Sequence, residues 1–214
     1  MKIIKSKFVV ESVMKKFIQF NIIAAMAFFF SACPEKKEGV LDDWSASMLY
    51  AVNFKDQGNG TVLDLGSGRI WMKCTHGQVW DGTLNTCGGT GGPTSYGASS
   101  VAFCTLPGAC VDPLTLQSNS GPAFIACNDL TFAGHTDWRL PTQLELLGVA
   151  TGMVNRDQYQ FIFPQTPDDK YFWTGEQSTE KADYALGVSF AEGTFGNVLS
   201  FDKVTSELYV RCIR

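Results

Sequence analysis

Seven cysteines in 214 residues constrain this chain more than any other feature. Reducing compartments keep thiols free, so a cysteine content this high points to an oxidising space. Cys33 stands apart from the rest. Cys74, Cys87, Cys104, Cys110, Cys127 and Cys212 form an even set, as a disulfide framework requires, and spacing alone leaves many connectivities open. Nearness in sequence suggests Cys74–Cys87 and Cys104–Cys110. Cys127 falls in a helix-like stretch and Cys212 in the last strand-like stretch. A bridge between them would close a long loop, worth ~4–5 kcal/mol in the chain-entropy account. A zinc site is the rival reading. However, His76 and His135 are the only histidines, no C-x-x-C occurs, and Cys74-x-His76 is too tight for usual zinc spacing. No metal or other cofactor is expected on these grounds.

Residues 17–32 read FIQFNIIAAMAFFFSA, follow Met14-Lys15-Lys16 and lead through Ser31-Ala32 to Cys33. A basic start, a short apolar run and small residues before a cut site describe a secretory signal. The cysteine directly after the small residues resembles the lipobox of bacterial lipoproteins. That resemblance implies that Cys33 is lipidated and becomes the mature N-terminus. A spanning helix is the alternative, but it needs ~20 apolar residues, and Gln19 and Asn21 interrupt this run. Glu11 is out of place in a basic leader, so Met14 is the expected start. The expected layout is a signal peptide over residues 1–32, a lipidated end and tether over 33–48, and a domain over 49–214. That domain carries a long loop insertion at about 75–120.

Composition bears on partners. Removing Lys2, Lys5, Lys7, Lys15, Lys16 and Glu11 takes the 17 basic and 21 acidic residues to 12 and 20, and the net charge from −4 to −8. An acidic domain is a poor ligand for nucleic acid. It would meet the membrane through acyl chains, outside the cytoplasm, at the bacterial cell envelope (outer membrane or surface).

Past residue 49 the pattern is strands, then helices, then strands, which suggests an α+β domain. Leu49–Phe54 is strand-like, Lys55–Gly60 a turn cluster with the strong hairpin signal Asn59-Gly60, and Thr61–Leu65 the return strand. A third strand covers Arg69–Lys73. Cys74 to Ser120 reads mostly as loop, with four cysteines inside it to hold a shape. Pro122–Thr131 reads as a helix capped by Ser120. Thr142 and Glu145 form a capping box, T-x-x-E, before a second helix at about Gln143–Ala150. From Tyr159 onward the sequence returns to strands: Tyr171–Thr174, Ala185–Phe190, Asn197–Phe201 and Leu208–Ile213.

These residues resemble the Lcl C-terminal domain family. The resemblance rests on Asp56-Gln57-Gly58-Asn59-Gly60-Thr61-Val62-Leu63-Asp64, Gly68-Arg69-Ile70-Trp71, Gly134-His135-Thr136-Asp137-Trp138-Arg139-Leu140-Pro141 with Glu145, Tyr171-Phe172-Trp173-Thr174, and Tyr209-Val210-Arg211-Cys212-Ile213-Arg214. It implies a C-type-lectin-like fold, two helices flanking small and mostly antiparallel sheets, stapled by disulfides. Such a fold places a long bridge between the first helix and the last strand, which suits Cys127–Cys212. Members often sit on exported or surface lipoproteins. The family takes its name from a collagen-like bacterial adhesin whose C-terminal domain binds sulfated glycosaminoglycans.

Candidate sites follow, each with a plainer alternative. Asp56, Asn59 and Asp64 offer oxygen ligands for calcium, but a calcium loop needs more acids at set spacing, and a hairpin turn explains them better. Arg139 and Glu145 read as a structural ion pair beside Asp137 and Trp138, not as a catalytic cluster. The calcium-binding triplets of sugar-binding lectins are absent. The fold that the resemblance implies is also that of formylglycine-generating enzymes, which use paired cysteines. Here every distal cysteine has a ready partner. The loop Gly88–Gly92 lacks the strand-to-helix setting of a phosphate cradle. Trp80, Tyr96 and Phe103 are candidates for a ligand surface on the loop, with core packing beneath the loop as the alternative. The expected function is therefore a lipid-anchored binding or adhesion module for a glycan or a host matrix protein, not an enzyme. An oxidase of the formylglycine-generating kind and a structural envelope lipoprotein are the alternatives. The sequence leaves the oligomeric state open.

Overall fold

The structure is a computed structural model and describes residues 53–90, 92, 94–107, 110, 121–151 and 156–214, with only the backbone of 156–158. The signal peptide, Cys33, the tether, Ser120 and residues 49–52 lie outside these. The chain divides into two units, Met1–Leu41 and Asp42–Arg214, and every described residue belongs to the second.

Turn chemistry sets the first hairpin. β1 (Phe54–Asp56) pairs antiparallel with β2 (Thr61–Asp64), with Phe54 opposite Asp64. The expected turn begins later than Lys55, because Lys55 and Asp56 still lie in β1. The Asp56 carboxylate accepts from Gly58 N at 2.9 Å, and Asn59 Oδ1 accepts from Thr61 N at 3.2 Å, so side chains satisfy the donors that the turn leaves over. β3 (Ile70–Met72) completes a three-stranded sheet in the order β1-β2-β3.

The region expected as one long loop is more ordered than that. It contains a second hairpin, β4 (Val79–Asp81) with β5 (Thr86–Gly88), and a short strand β6 (Val101–Ala102). Asp81 caps the hairpin turn, accepting from Thr83 N at 2.8 Å and Leu84 N at 3.1 Å. The Cys74–Cys87 disulfide ties β5 to the end of β3.

Three helices are described where two were expected. α1 (Pro122–Asn128) starts with Pro122 in its first turn, where the missing N–H costs nothing. Its N-cap is Gly121, without a side-chain cap. α2 (Gln143–Thr151) carries the expected capping box: Glu145 N donates to Thr142 Oγ1 at 3.2 Å, and Thr142 N to Glu145 Oε2 at 2.8 Å. α3 (Arg156–Ile162) lies where the sequence suggests a return to strands. Its aromatic content reads as β, but Tyr159, Ile162 and Phe163 sit three and four apart, and all three are buried. The helical spacing of the apolar positions overrides local β propensity.

β7 (Phe172–Gln177), β8 (Tyr184–Val188) and β9 (Val198–Asp202) form a second antiparallel sheet, and β10 (Glu207–Leu208) pairs with β6. The last residues tie the parts together. Met72 N donates to Cys212 O at 3.0 Å, Arg139 N to Ile213 O at 2.9 Å, and Trp173 N to Tyr209 O at 2.9 Å. Residues 209–214 thus run between β3 and β7. Their side chains alternate as an extended chain must. Tyr209 and Ile213 enter one core with Phe54, Val62, Trp71, Tyr159, Phe163 and Phe172. Leu208, Val210 and Cys212 enter the other with Phe103, Phe124, Trp138, Leu140 and Trp173. Both cores are closed by burial of large aromatic rings, the main favourable term in a domain this size.

The disulfides are Cys74–Cys87, Cys104–Cys110 and Cys127–Cys212, separated by 13, 6 and 85 residues. The described domain is mostly β, with three short helices. Among the described residues no helix is long and apolar enough to cross a membrane.

Candidate functional site

The end of β1, the end of β3, the turn of the β4–β5 hairpin and the end of α3 converge on one pocket. Phe54, Asp56, Val62, Lys73, Asn85, Gln160, Phe161, Ile162 and Pro164 line about 470 Å3. Lys73 is its buried polar floor. Alternation along Arg69–Lys73 points Lys73 to the same side as Trp71, into the fold. A buried ammonium needs partners. Lys73 Nζ donates to Asp56 Oδ2 and, at 2.8 Å, to Asn85 Oδ1. The ammonium also lies 4.7 Å from the centre of the Trp80 ring, within cation–π range. Asp56 is fixed from its other oxygen by Gly58 N. Asn85 is held in a left-handed turn conformation, φ 53°, which asparagine tolerates better than most residues. Gln160 spends its amide on Thr166, donating to its carbonyl at 2.8 Å and accepting from its N–H at 3.0 Å. Phe161 is 73% exposed at the rim.

The hairpin bordering this pocket also shows apolar side chains to water, Val79 at 70% and Leu84 at 71% exposure. Trp80, between them and Lys73, is half-buried. Tyr96 is half-buried too, and its carbonyl accepts weakly from Gln78 Nε2 at 3.4 Å. Phe103 does not belong to a ligand surface. It is 1% exposed and packs edge-on against Phe124 and Trp173, at 5.0 and 5.3 Å between ring centres. The plainer alternative, core packing beneath the loop, is the one that holds for Phe103.

The calcium candidates are committed to turns. Asn59 Oδ1 accepts from Thr61 N and from Thr61 Oγ1 at 2.6 Å, and the Asp64 carboxylate accepts from Gly66 N at 2.9 Å and Ser67 Oγ at 2.6 Å. Asp56 is paired with Lys73. Among the described residues no group of three or more His, Cys, Asp or Glu side chains could hold a metal ion.

Arg139 and Glu145 meet as a two-pronged pair, Nη1–Oε2 at 2.8 Å and Nη2–Oε1 at 2.7 Å, and Arg69 approaches the same carboxylate at 3.5 Å. Burial pushes the Glu145 carboxyl upward. The Arg139 hydrogen bonds, the Thr142 N–H and the charges of Arg139 and Arg69 outweigh it and hold Glu145 below the usual carboxylate range. The donors are all nitrogens, from Arg139, Arg69 and the Thr142 backbone, and they hold the Glu145 carboxylate at the start of α2.

A second buried cation escaped the sequence reading. Arg211 lies in the first core and donates to Met72 O at 3.0 Å, to Lys73 O, to Thr75 Oγ1 at 3.1 Å and to Thr166 Oγ1 at 2.7 Å. Burial lowers its pKa, though an arginine stays charged in any folded protein. The signal was available: Arg211 shares the inward phase of Tyr209 and Ile213. It ties the end of β3, which carries Lys73, to the loop after α3, which borders the pocket. Lys73, Asn85, Gln160 and Phe161 were also not singled out in sequence, since they come from three distant segments.

Among the described residues, short antiparallel sheets, three helices and three disulfides around two aromatic cores define a small, cross-linked domain with a mixed polar and apolar pocket at a hairpin. The profile of the Lcl C-terminal domain family matches residues 60–214, and the chain belongs to that family. No curated protein and no solved structure matches it.

Proposed function

We propose that this chain is a lipid-anchored binding or adhesion module, displayed outside the cytoplasm on the bacterial envelope, with a C-type-lectin-like fold. The ligand is a glycan or a host matrix protein. The carrying observation is the division of labour among side chains. Several charged groups are taken up in holding the fold together: Lys73, Arg139, Glu145, Arg211, and Lys203, whose ammonium donates to Gln177 Oε1 at 2.7 Å and Ala182 O at 2.6 Å. The β4–β5 hairpin meanwhile presents Val79, Trp80 and Leu84 on a rigid, disulfide-tied support. Recognition on loops over a fixed scaffold is the common arrangement for binding domains. The Cys127–Cys212 bridge joins α1 to the terminal segment, which supports the lectin-like reading. Three disulfides favour an oxidising compartment.

The oxidase alternative needs a reactive thiolate, and the six cysteines of the domain are disulfide-bonded. Thiol labelling of the folded, exported chain is expected to find none free in the domain. Membrane fractionation and mass spectrometry of the processed N-terminus are expected to find acylated Cys33, and Cys33→Ser to release the protein from the membrane. A screen against glycans and matrix proteins is expected to give saturable binding that Trp80→Ala weakens. A soluble intracellular product, or a screen without saturable binding, contradicts this reading.

A further inference from the structure

The pocket at Lys73 has a composition that selects among ligands. We infer that it takes a neutral saccharide, a sugar ring without sulfate or carboxylate, and holds it without calcium; this deepens and rests on the binding function proposed above.

Charge comes first. The pocket's buried cation is already neutralised, because the Asp56 carboxylate is paired with Lys73. Asp56 is 45% exposed on its side chain, so it faces an incoming group as well as Lys73. A sulfate or carboxylate entering here would meet a carboxylate with no uncompensated cation to offset it, and like charges at contact repel. A neutral ligand meets no such barrier.

Hydrogen-bonding capacity comes next. An ammonium has three donors, and Asp56 and Asn85 take two of Lys73's. Asn85 gives its amide oxygen to Lys73 and keeps its N–H2 group, while Asp56 has lone pairs beyond those used by Lys73 and Gly58. Donors and acceptors therefore stand side by side. Hydroxyl groups, each a donor and an acceptor, match that mixture; sulfate oxygens only accept.

Shape comes last. Phe54, Val62 and Ile162 give the pocket an apolar wall, with Phe161 exposed at its rim. A sugar ring has an apolar C–H face and a polar hydroxyl edge, and so answers both walls at once. The volume falls within the usual ~300–1,000 Å3 of small-ligand sites.

The test uses the full, oxidised chain and titration calorimetry with lactose, maltose and chitobiose, against heparin fragments as the sulfated comparison, each with and without a calcium chelator. At least one neutral sugar is expected to bind saturably in the chelator. Phe161→Ala, at an exposed position that leaves the cores intact, is expected to weaken that binding about tenfold, and Asn85→Ala likewise. Absence of saturable binding by every neutral sugar overturns the inference, as does neutral-sugar binding untouched by both substitutions. Heparin or matrix-protein binding that survives Phe161→Ala, with no neutral-sugar binding, removes this inference and leaves the broader binding function standing. Absence of binding to any glycan or matrix protein removes both.

Discussion

The guanidinium carbon of Arg211 lies 4.7 Å from the centre of the Phe163 ring, inside an aromatic core. Tyr159 and Phe172 flank it, each with its ring centre at 5.7 Å. Among the described residues no carboxylate pairs with it. Its charge is instead spread over two carbonyl oxygens, two threonine hydroxyls and three ring faces. Removing the side chain would strand those carbonyls and leave a void among the rings. Arg211→Ala is expected to cost about 3–5 kcal/mol of unfolding free energy in urea titrations. Arg211→Lys should recover only part of it, since an ammonium lacks the planar fork that reaches four oxygens. A loss under about 1 kcal/mol for the alanine variant would show that the network is not holding β3 to the loop after α3.

The three disulfides are expected to differ in worth according to the chain they close. Cys127–Cys212 spans 85 residues and Cys104–Cys110 spans 6. In the chain-entropy account the first is worth about 4–5 kcal/mol and the second about 2 kcal/mol. Paired replacement by alanine at each bridge, followed by thermal and urea unfolding, should reproduce that order. Equal losses, or a larger loss for the short bridge, would place the stabilisation in native packing instead of chain entropy.

Local chemistry was legible in the sequence, and convergence was not. Asn59-Gly60 marks a hairpin because a side-chain oxygen and a left-handed residue satisfy a tight turn without outside help. Thr142 and Glu145 announce a helix start for the same reason. Nearness along the chain was enough to suggest Cys74–Cys87 and Cys104–Cys110. Tyr159, Ile162 and Phe163 were harder, because aromatic and branched residues favour strands and only their spacing betrays a helix. Phe103 was read as a candidate surface ring because it falls in the region read as loop, yet Phe124 of α1 and Trp173 of β7 pack against it. The pocket was the least legible part. Asp56, Lys73, Asn85 and Gln160 come from four segments, and only the packing of α3 beside the first sheet brings them together.

Acid should act on this domain in part through Glu145 and His76, beside the carboxylates Asp137 and Asp202, which hydrogen bonds also hold below their ordinary range. Glu145 is held below its ordinary range, so it contributes stability that is present above the unfolded value of ~4.3 and lost as pH falls through its lower folded value. His76 is lowered by burial, which disfavours the charged ring. Its contribution is full above the unfolded value of ~6.5 and declines as pH falls from there toward its folded value. Urea midpoints taken from neutral to acid pH should therefore decline in two stages. Glu145→Gln is expected to flatten the more acidic stage and to cost about 1 kcal/mol at neutral pH through the weakened cap. His76→Gln should flatten the earlier stage alone. An acid limb unchanged in Glu145→Gln would mean that other carboxylates govern it.

Two glycines of the first hairpin allow backbone strain to be separated from crowding. Gly58 and Gly60 both adopt positive φ, 72° and 83°, which a side chain disfavours. A methyl group on Gly58 would meet nothing within 4 Å. One on Gly60 would stand 2.7 Å from Phe132 Cζ and 2.8 Å from Trp80 Cγ, closer than carbon atoms pack. Gly58→Ala is expected to cost about 1 kcal/mol, the backbone term alone. Gly60→Ala carries the same term and also has to push Trp80 aside, for a total of about 2–4 kcal/mol. Because Trp80 lies over the Lys73 ammonium, its displacement should also shift tryptophan emission, which Gly58→Ala should leave unchanged. Urea unfolding followed by fluorescence measures both effects in one experiment. Equal losses in the two variants, with identical emission spectra, would mean that Gly60 is there for its turn and not for the ring packed against it.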